Sequence, residues 1–246
     1  MSEHVRKMFA GIARRYDLGN DVLSFGAHRL WKRRLVAMTT PGEGGAVLDL
    51  ATGTGDIAIL YAETVGIRGS VVGIDFCADM IEQAHRRAAN SHPMLTFQVA
   101  DATQLPFDSN TFDVTSISFG IRNVDDPSVA LREMARVTRP GGSVAILETG
   151  QPHGVWGLLY RLYSTTILPV VGGILSGSFR AYSYLNRTAA AFPYGESFAH
   201  LMRRAGLVSI TSEPLFGGIA YLYRAAVPIP SSDHASHGDV PGKVKT

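Results

Sequence analysis

Val47-Leu48-Asp49-Leu50-Ala51-Thr52-Gly53-Thr54-Gly55-Asp56 is an apolar run that ends in a glycine-rich turn, and a helix-forming stretch, Ile57–Ala62, begins at once. Strand, turn and helix in that order open a doubly wound α/β sheet. Glycines at 53 and 55 let the backbone approach a ligand closely, and the helix N-terminus offers it unpaired N–H groups. Twenty residues after Gly55, a second apolar run, Val71–Ile74, ends at Asp75. A carboxylate there can accept both hydroxyls of a ribose. The pattern Gly53-x-Gly55-x-x-Ala58 alone also occurs in plain tight turns. With the strand, the helix and the acidic residue in place, a nucleoside cofactor held around Gly53, Thr54, Gly55 and Asp75 is the better reading.

Working outward, strand-like runs at Ala46–Leu50, Val71–Ile74, Leu95–Val99, Val114–Ser118 and Val144–Leu147 alternate with helical stretches. In one of these Ile81, Ala84 and Ala88 share a face; in another Ala130, Met134 and Val137 do. The latter starts with Asp126 as N-cap and Pro127 at its first position, and is expected to stop at a turn, Arg139-Pro140-Gly141-Gly142. A last pair, Leu207–Thr211 and Ala220–Arg224, closes the sheet with one antiparallel strand. The expected organisation is an N-terminal helical cap over residues 1–40, an α/β core over 41–228 with a helical insertion near 152–190, and a disordered tail over 229–246. Residues 4–38 read as two helices, the first carrying Val5, Met8, Phe9, Ile12, Ala13 and Tyr16 on one stripe.

Composition narrows the function. The 246 residues suit one α/β domain or at most two small ones. With 23 Lys and Arg against 21 Asp and Glu, the net charge of +2 gives no ground for a nucleic-acid partner. The lone cysteine, Cys77, excludes an internal disulfide framework and a cysteine-cluster zinc site. No two histidines have ligand spacing on an expected helix, so no metal is expected. His28, at a helix start, reads as a cap or a solvent contact, and His153 as a loop histidine. Residues 1–16 are charged throughout and lack an apolar core segment, which predicts a reducing, cytoplasmic setting.

A dinucleotide is formally compatible with the loop, but the series that follows favours S-adenosylmethionine. Ala100-Asp101-Ala102 follows strand three, where an acidic side chain and a backbone N–H can read an adenine edge. Leu105-Pro106-Phe107 and Phe112-Asp113-Val114 come next, then Arg139-Pro140-Gly141-Gly142 before strand five. This ordered series resembles the class I S-adenosylmethionine-dependent methyltransferases. The resemblance implies a Rossmann-like, seven-stranded, mostly parallel sheet with one antiparallel strand and helices on both faces. It places Asp49 near the methionine amino group, Asp75 on the ribose, Asp101 and Ala102 beside the adenine, and Ser118 among the cofactor contacts.

Two further blocks narrow it. Met8-Phe9, Ile12-Ala13, Tyr16-Asp17, Asn20-Asp21 and Ser24-Phe25-Gly26-Ala27-His28-Arg29-Leu30-Trp31-Lys32 form one; Ile117-Ser118-Phe119-Gly120-Ile121-Arg122-Asn123-Val124 forms the other. Over about residues 5–224 the chain resembles the ubiquinone/menaquinone biosynthesis C-methyltransferases. Thr52 departs from the family's more usual Gly or Cys, and Thr149 from a common aromatic residue. The resemblance implies methyl transfer to a ring carbon of a prenylated quinol, with demethylmenaquinol ahead of a methoxybenzoquinol. Such a carbon becomes nucleophilic when a neighbouring hydroxyl loses its proton, so the site needs a partner for the phenolate and a proton acceptor. Arg122 and Asn123, past the end of strand four, are expected to serve through a polarised water, Arg122 being too basic to act as the base itself. Tyr16 is a second hydrogen-bond candidate. An ion pair with a carboxylate is the competing role for Arg122, and packing for Tyr16. Another small aromatic or lipid acceptor, or a non-catalytic cofactor-binding scaffold, remains open.

A lipid acceptor needs access to a bilayer. The most apolar stretch, Val155–Leu175, is broken by Arg161, Pro169, Gly172 and Gly173 and does not read as a membrane span. It is expected to be an ordinary helix covering the core rather than a wall for an isoprenoid tail. Residues 1–40 hold eight Lys and Arg against three acidic residues, net +5, which leaves peripheral contact with an anionic membrane surface open, as it does an oligomeric state.

Overall fold

β1 (Ala46–Leu50) buries Val47, Leu48 and Leu50 completely, as a strand covered on both faces must. It pairs in parallel with β2 (Ser70–Asp75) on one side and β4 (Phe112–Ser118) on the other. The computed structural model describes residues 3–13, 16–88, 92–168, 170, 171, 173 and 179–230. In it β3 (Leu95–Val99), β5 (Thr138–Thr149), β6 (Val208–Leu215) and β7 (Ala220–Ala226) complete a seven-stranded sheet in the order 3-2-1-4-5-7-6. Only β7 runs against the others, antiparallel to both β5 and β6, so the expected single reversed strand is present. Strand order turns back between β1 and β4, which opens a crevice at their carboxyl ends.

Alternation along the strands splits the core in two. Val47, Val71, Val114, Ala145 and Leu147 pack with Ile57, Ala58 and Tyr61 of α4 (Asp56–Val65) and with Trp31, Leu35 and Val36 of α3 (Ala27–Thr39). On the opposite face Leu48, Leu50, Ile74, Ile117, Val144 and Ile146 meet Leu131, Met134 and Val137 of α6 (Pro127–Val137). Phe198 and Met202, of a helix over Glu196–Arg204 numbered α9 below, join them. α5 (Ala78–Ala88) stands behind β2 and β3, where Gly73 leaves room for Phe97, whose ring would lie 2.6 Å from any Cβ added there.

Two local expectations are corrected. The N-terminal segment forms three helices, α1 (Glu3–Ile12), α2 (Tyr16–Ser24) and α3, because Phe25 and Gly26 both take left-handed φ, 51° and 75°, and turn the chain sharply. Tyr16 opens α2 instead of extending the stripe of α1. α6 does start at Pro127 with the Asp126 carboxylate accepting from Ser128 N, but it ends at Val137. The Arg139–Gly142 segment is already strand β5, carrying a register shift against β4. Arg139 is pushed toward extended backbone by the proline after it.

Beyond β5 lie α7 (Gly154–Leu162), a π-turn (Tyr163–Ile167) and α8 (Phe179–Ala191), then α9 (Glu196–Arg204). α7 buries none of its residues, so it does not cover the core as expected. Residues 231–246, most of the expected tail, lie outside the described residues, as do 169, 172, 174 and 175 of the apolar stretch. No helix among the described residues is long and apolar enough to cross a membrane.

Candidate active site

Past β1 the chain turns through Ala51 (φ 48°), Gly53 (φ 57°) and Gly55 (φ 88°) before α4. Ala51 is a non-glycine residue held left-handed, a strain of roughly 1–3 kcal/mol that the surrounding strands must offset. Phe119, just past β4, carries the same strain at φ 54°. Across this turn, Asp75 Oδ2 accepts from Gly53 N at 2.9 Å and Oδ1 from Cys77 N at 2.8 Å. Burial pushes the Asp75 carboxyl up from its ordinary value, against those hydrogen bonds. Each oxygen keeps a further lone pair for a ligand.

Asp49 lies fully buried under the loop, accepting from Thr52 Oγ1 at 2.6 Å and Ser116 Oγ at 2.7 Å. Burial raises its pKa to about 7. Thr52, the departure noted above, thus supplies a donor. Asp49, Thr52, Gly53, Thr54 and Ser118 line one small cleft with Lys32 and Asp56; Gly53, Asp75, Cys77, Ser118 and Asn123 line a second of about 40 Å³. Ser118 Oγ and Asn123 Oδ1 are buried there with no partner among the described residues. Asp101 turns its Oδ1 to Thr103 N (2.8 Å) and Oγ1 (2.7 Å), at the end of β3 beside Ala102. Neither Asp101 nor Ala102 lines these two clefts.

A chain of charges that the sequence did not reveal ties the N-terminal helices to this loop. Lys32 of α3 pairs with Asp56 at 2.6 Å; Arg87 of α5 pairs with Asp56 at 2.6 Å and with Asp17 of α2 at 3.2 Å. Thr54 Oγ1 donates to Asp17 at 2.7 Å. Asp56 is held at about 2, with the Lys32 charge chief among the groups that outweigh its burial.

The other half of the site is a cavity of about 740 Å³ under the N-terminal helices. Leu23, Phe25, Leu30 and Trp31 wall it on one side, Trp156, Leu159 and Tyr160 of α7 on another, and Phe216 and Ile219 close it. Phe119 lines this cavity and both small clefts, so it is the shared partition. Arg122 lines it too, whereas Asn123 lines the 40 Å³ cleft; the two expected partners face different spaces. The Arg122 side chain is 7% exposed, with Nη1 donating to Glu148 Oε1 at 2.5 Å and to Phe119 O at 2.7 Å. The ion pair weighed against a functional role is therefore present, yet Nε has no partner among the described residues. The side chain of Tyr16 lies outside the described residues.

Two histidines are placed clearly. His153 precedes α7 and packs its ring against Tyr194, centroids 6.1 Å apart. His28 is neither a cap nor a solvent contact: it is 5% exposed, and Nε2 lies 2.8 Å from Asp21 Oδ1. The correction follows from the Phe25-Gly26 turn, which folds α2 back beside the start of α3. Cys77 is buried next to Met80 and Ala13, a packing role.

The model of the ubiE/COQ5 methyltransferase family matches residues 1–226. The chain is 52% identical over 227 residues to the ubiquinone/menaquinone biosynthesis C-methyltransferase UbiE of Bdellovibrio bacteriovorus, covering 92% of this chain and 96% of that one. It is 43% identical over 217 residues to the demethylmenaquinone methyltransferase of Thermus thermophilus, covering 88% and 98%. A solved structure from Thermotoga maritima, described as a SAM-dependent methyltransferase and possible histamine N-methyltransferase, aligns with a TM-score of 0.64 at 20% identity. It covers 90% of this chain and 99% of that one, a likeness of fold.

Proposed function

The chain belongs to the ubiE/COQ5 methyltransferase family, and from that premise we propose that it is an S-adenosylmethionine-dependent C-methyltransferase of quinone biosynthesis. Its acceptor is a ring carbon of a prenylated quinol, demethylmenaquinol before a methoxy-polyprenyl-benzoquinol. The observation that carries the reading is the pairing of a polar cleft at the glycine loop with an apolar cavity of about 740 Å³, sharing Phe119. That volume is ample for a two-ring head group and the start of an isoprenoid tail.

The residues present fit the cofactor, since unpartnered Ser118 Oγ and Asn123 Oδ1 and the two buried carboxylates offer acceptors where its polar ends would lie. When bound, S-adenosylmethionine supplies an electrophilic methyl group. Asp75 receives the ribose hydroxyls, Asp49 the methionine ammonium, and Gly53, Thr54 and Gly55 bring backbone close to the ligand. Asp101 and Ala102 edge the adenine. Across the Phe119 partition, Arg122 holds negative charge developing on the acceptor oxygen; a buried, fixed guanidinium does this without reorganising, an effect worth about 10²–10³ in rate. The apolar walls exclude water from the reacting carbon. Tyr16 is a further hydrogen-bond partner for the acceptor.

The acceptor's tail points to a membrane. Exposed Leu18, Val22, Phe25 and Leu30 on the N-terminal helices and Val155, Leu158, Leu159 and Leu162 on α7 flank the cavity's walls, with Phe25 87% exposed. Together with the net charge of +5 over residues 1–40, this supports peripheral docking on the anionic cytoplasmic leaflet. The deciding test is an anaerobic methyl-transfer assay read by mass spectrometry, with reduced demethylmenaquinone and a reduced prenylated methoxybenzoquinone in parallel. Product from the first establishes the reading. Product from neither, with S-adenosylhomocysteine bound tightly, transfers the site to a different acceptor or a scaffold role.

A further inference from the structure

His28 and Asp21 form a hydrogen-bonded dyad across the turn between α2 and α3. The sharp Phe25-Gly26 turn brings the end of α2 against the first turn of α3, so Asp21 Oδ1 sits 2.8 Å from His28 Nε2. Arg29 grips the same carboxylate with Nε on Oδ1 and Nη2 on Oδ2, both at 2.6 Å. Asp21 is thereby locked in place and, chiefly through Arg29, held well below the usual carboxylate range. An ionised carboxylate only accepts hydrogen bonds, so Nε2 carries the hydrogen and Nδ1 is left with its lone pair. Nδ1 is buried without a partner among the described residues, and His28 is one of the residues lining the acceptor cavity. Nearly every buried polar atom in a folded protein is satisfied, and one that is not calls for a reason. A carboxylate fixing one ring nitrogen while the other is buried without a partner among the described residues, on a residue that lines a ligand cavity, is the arrangement of an oriented general base.

We propose that His28, oriented by Asp21, is the proton acceptor for the ring hydroxyl of the acceptor. The inference rests on the quinol C-methyltransferase reading and names the base that reading requires. The O–H bond breaks, its proton joins Nδ1, and its electron pair stays on oxygen, raising electron density at the adjacent ring carbon. That carbon forms the new bond to the methyl group, whose former bonding pair leaves with sulfur. The ring carbon then loses its own hydrogen to water while the imidazolium returns its proton to the oxygen, so one proton is released per turnover. Asp21 is a positioning residue, stabilising the imidazolium between the two transfers. Arg122, in the same cavity, holds the oxygen's charge.

The charged groups acting on the ring come from three elements. Asp21 on α2 and Asp56 on α4 raise its pKa; Lys32, one turn on along α3, lowers it, and burial lowers it further. Burial dominates, so the free ring is neutral at pH 7 and ready to accept. The rate should then fall on the acid side as the ring becomes protonated.

The test uses the full chain with the reduced quinol that the wild type methylates, and compares wild type, His28→Gln, His28→Ala and Asp21→Asn. His28→Gln is expected to lower kcat by about 10²–10⁴, to leave S-adenosylhomocysteine affinity unchanged, and to abolish the acid limb of the kcat profile. Added imidazole should restore part of the rate to His28→Ala. Asp21→Asn should displace the acid limb to lower pH, because loss of the carboxylate destabilises the imidazolium. A His28→Gln enzyme with near wild-type kcat and an intact acid limb overturns the proposal and leaves the methyltransferase reading standing. A wild type that methylates no quinol overturns both. If His28→Gln melts below the assay temperature, Asp21→Asn decides: an acid limb that does not move overturns the proposal.

Discussion

The cleft beside the glycine loop and the cavity beneath the N-terminal helices share Phe119 as a wall, yet they are assembled by opposite means. The cleft is made from the ends of β1, β2 and β4 and the turns that follow them, with Arg6 and Phe9 of α1 also lining it, strained backbone at Ala51 and the Asp75 carboxylate already bonded to backbone N–H groups. Its precision comes from the main chain. The cavity draws on several separated segments and is mostly apolar; among its polar lining residues His28, Trp31 and Arg122 each have a buried nitrogen that lacks a partner among the described residues. Its precision comes from a few side chains in a greasy wall. Side-chain changes near the loop should therefore act mainly on cofactor binding, and changes across Phe119 mainly on turnover.

After His28, the largest effect on rate is expected at Arg122. Arg122→Ala should lower kcat by about 10²–10³ while calorimetry finds S-adenosylhomocysteine affinity intact. The variant should also melt earlier, since an unpaired buried Glu148 costs roughly 3–5 kcal/mol. A matching loss of cofactor affinity would break the division. Asp75→Ala is the converse: with charge-assisted hydrogen bonds worth about 1.5–3 kcal/mol lost, cofactor affinity should fall roughly 10–100-fold at an unchanged KM for the quinol.

Leu159→Glu places a charge on the cavity wall. It should cut kcat/KM by about tenfold for a long-tailed quinol and much less for a tail-less analogue, as steady-state kinetics on the two will read. At Asp49 the effect is on stability rather than on rate, its pKa being about 7 against an ordinary 3.8. The folded state holds this proton between those values and the unfolded state does not, so Asp49 lowers stability as pH rises through that window. Asp49→Asn should therefore melt higher at pH 8, by about 2–4 °C for each kcal/mol recovered, and gain nothing below pH 4. Wild-type affinity for the cofactor should tighten from pH 6 to pH 8, because a bound ammonium expels the proton; the Asn variant should lose that dependence.

The two regions also differ in how far they could be read from the sequence. The strands, the glycine turn and Asp75 were legible because alternation, φ-permissive glycines and fixed spacing are local properties. The cavity was not. Leu30, Trp31, Leu159 and Phe216 are ordinary apolar residues until three chain segments are folded together, and α7 read as a core cover because its wall-facing and solvent-facing residues are equally apolar. The placement of His28 is hidden in the sequence for a related reason. At a helix start a cap is the usual role, and only the reversal at Phe25 and Gly26 puts Asp21 beside its ring. Arg122 and Glu148 stand 26 residues apart on adjacent strand ends, so their pairing depends on sheet register.

The charge chain from Lys32 through Asp56 and Arg87 to Asp17 and Thr54 has a thermodynamic consequence. It fastens the helices that roof the cavity to the same glycine turn that is proposed to receive the cofactor. A ligand that steadies the turn must then steady the roof, and whatever factor the methyl donor adds to the quinol's affinity, the quinol returns to the donor.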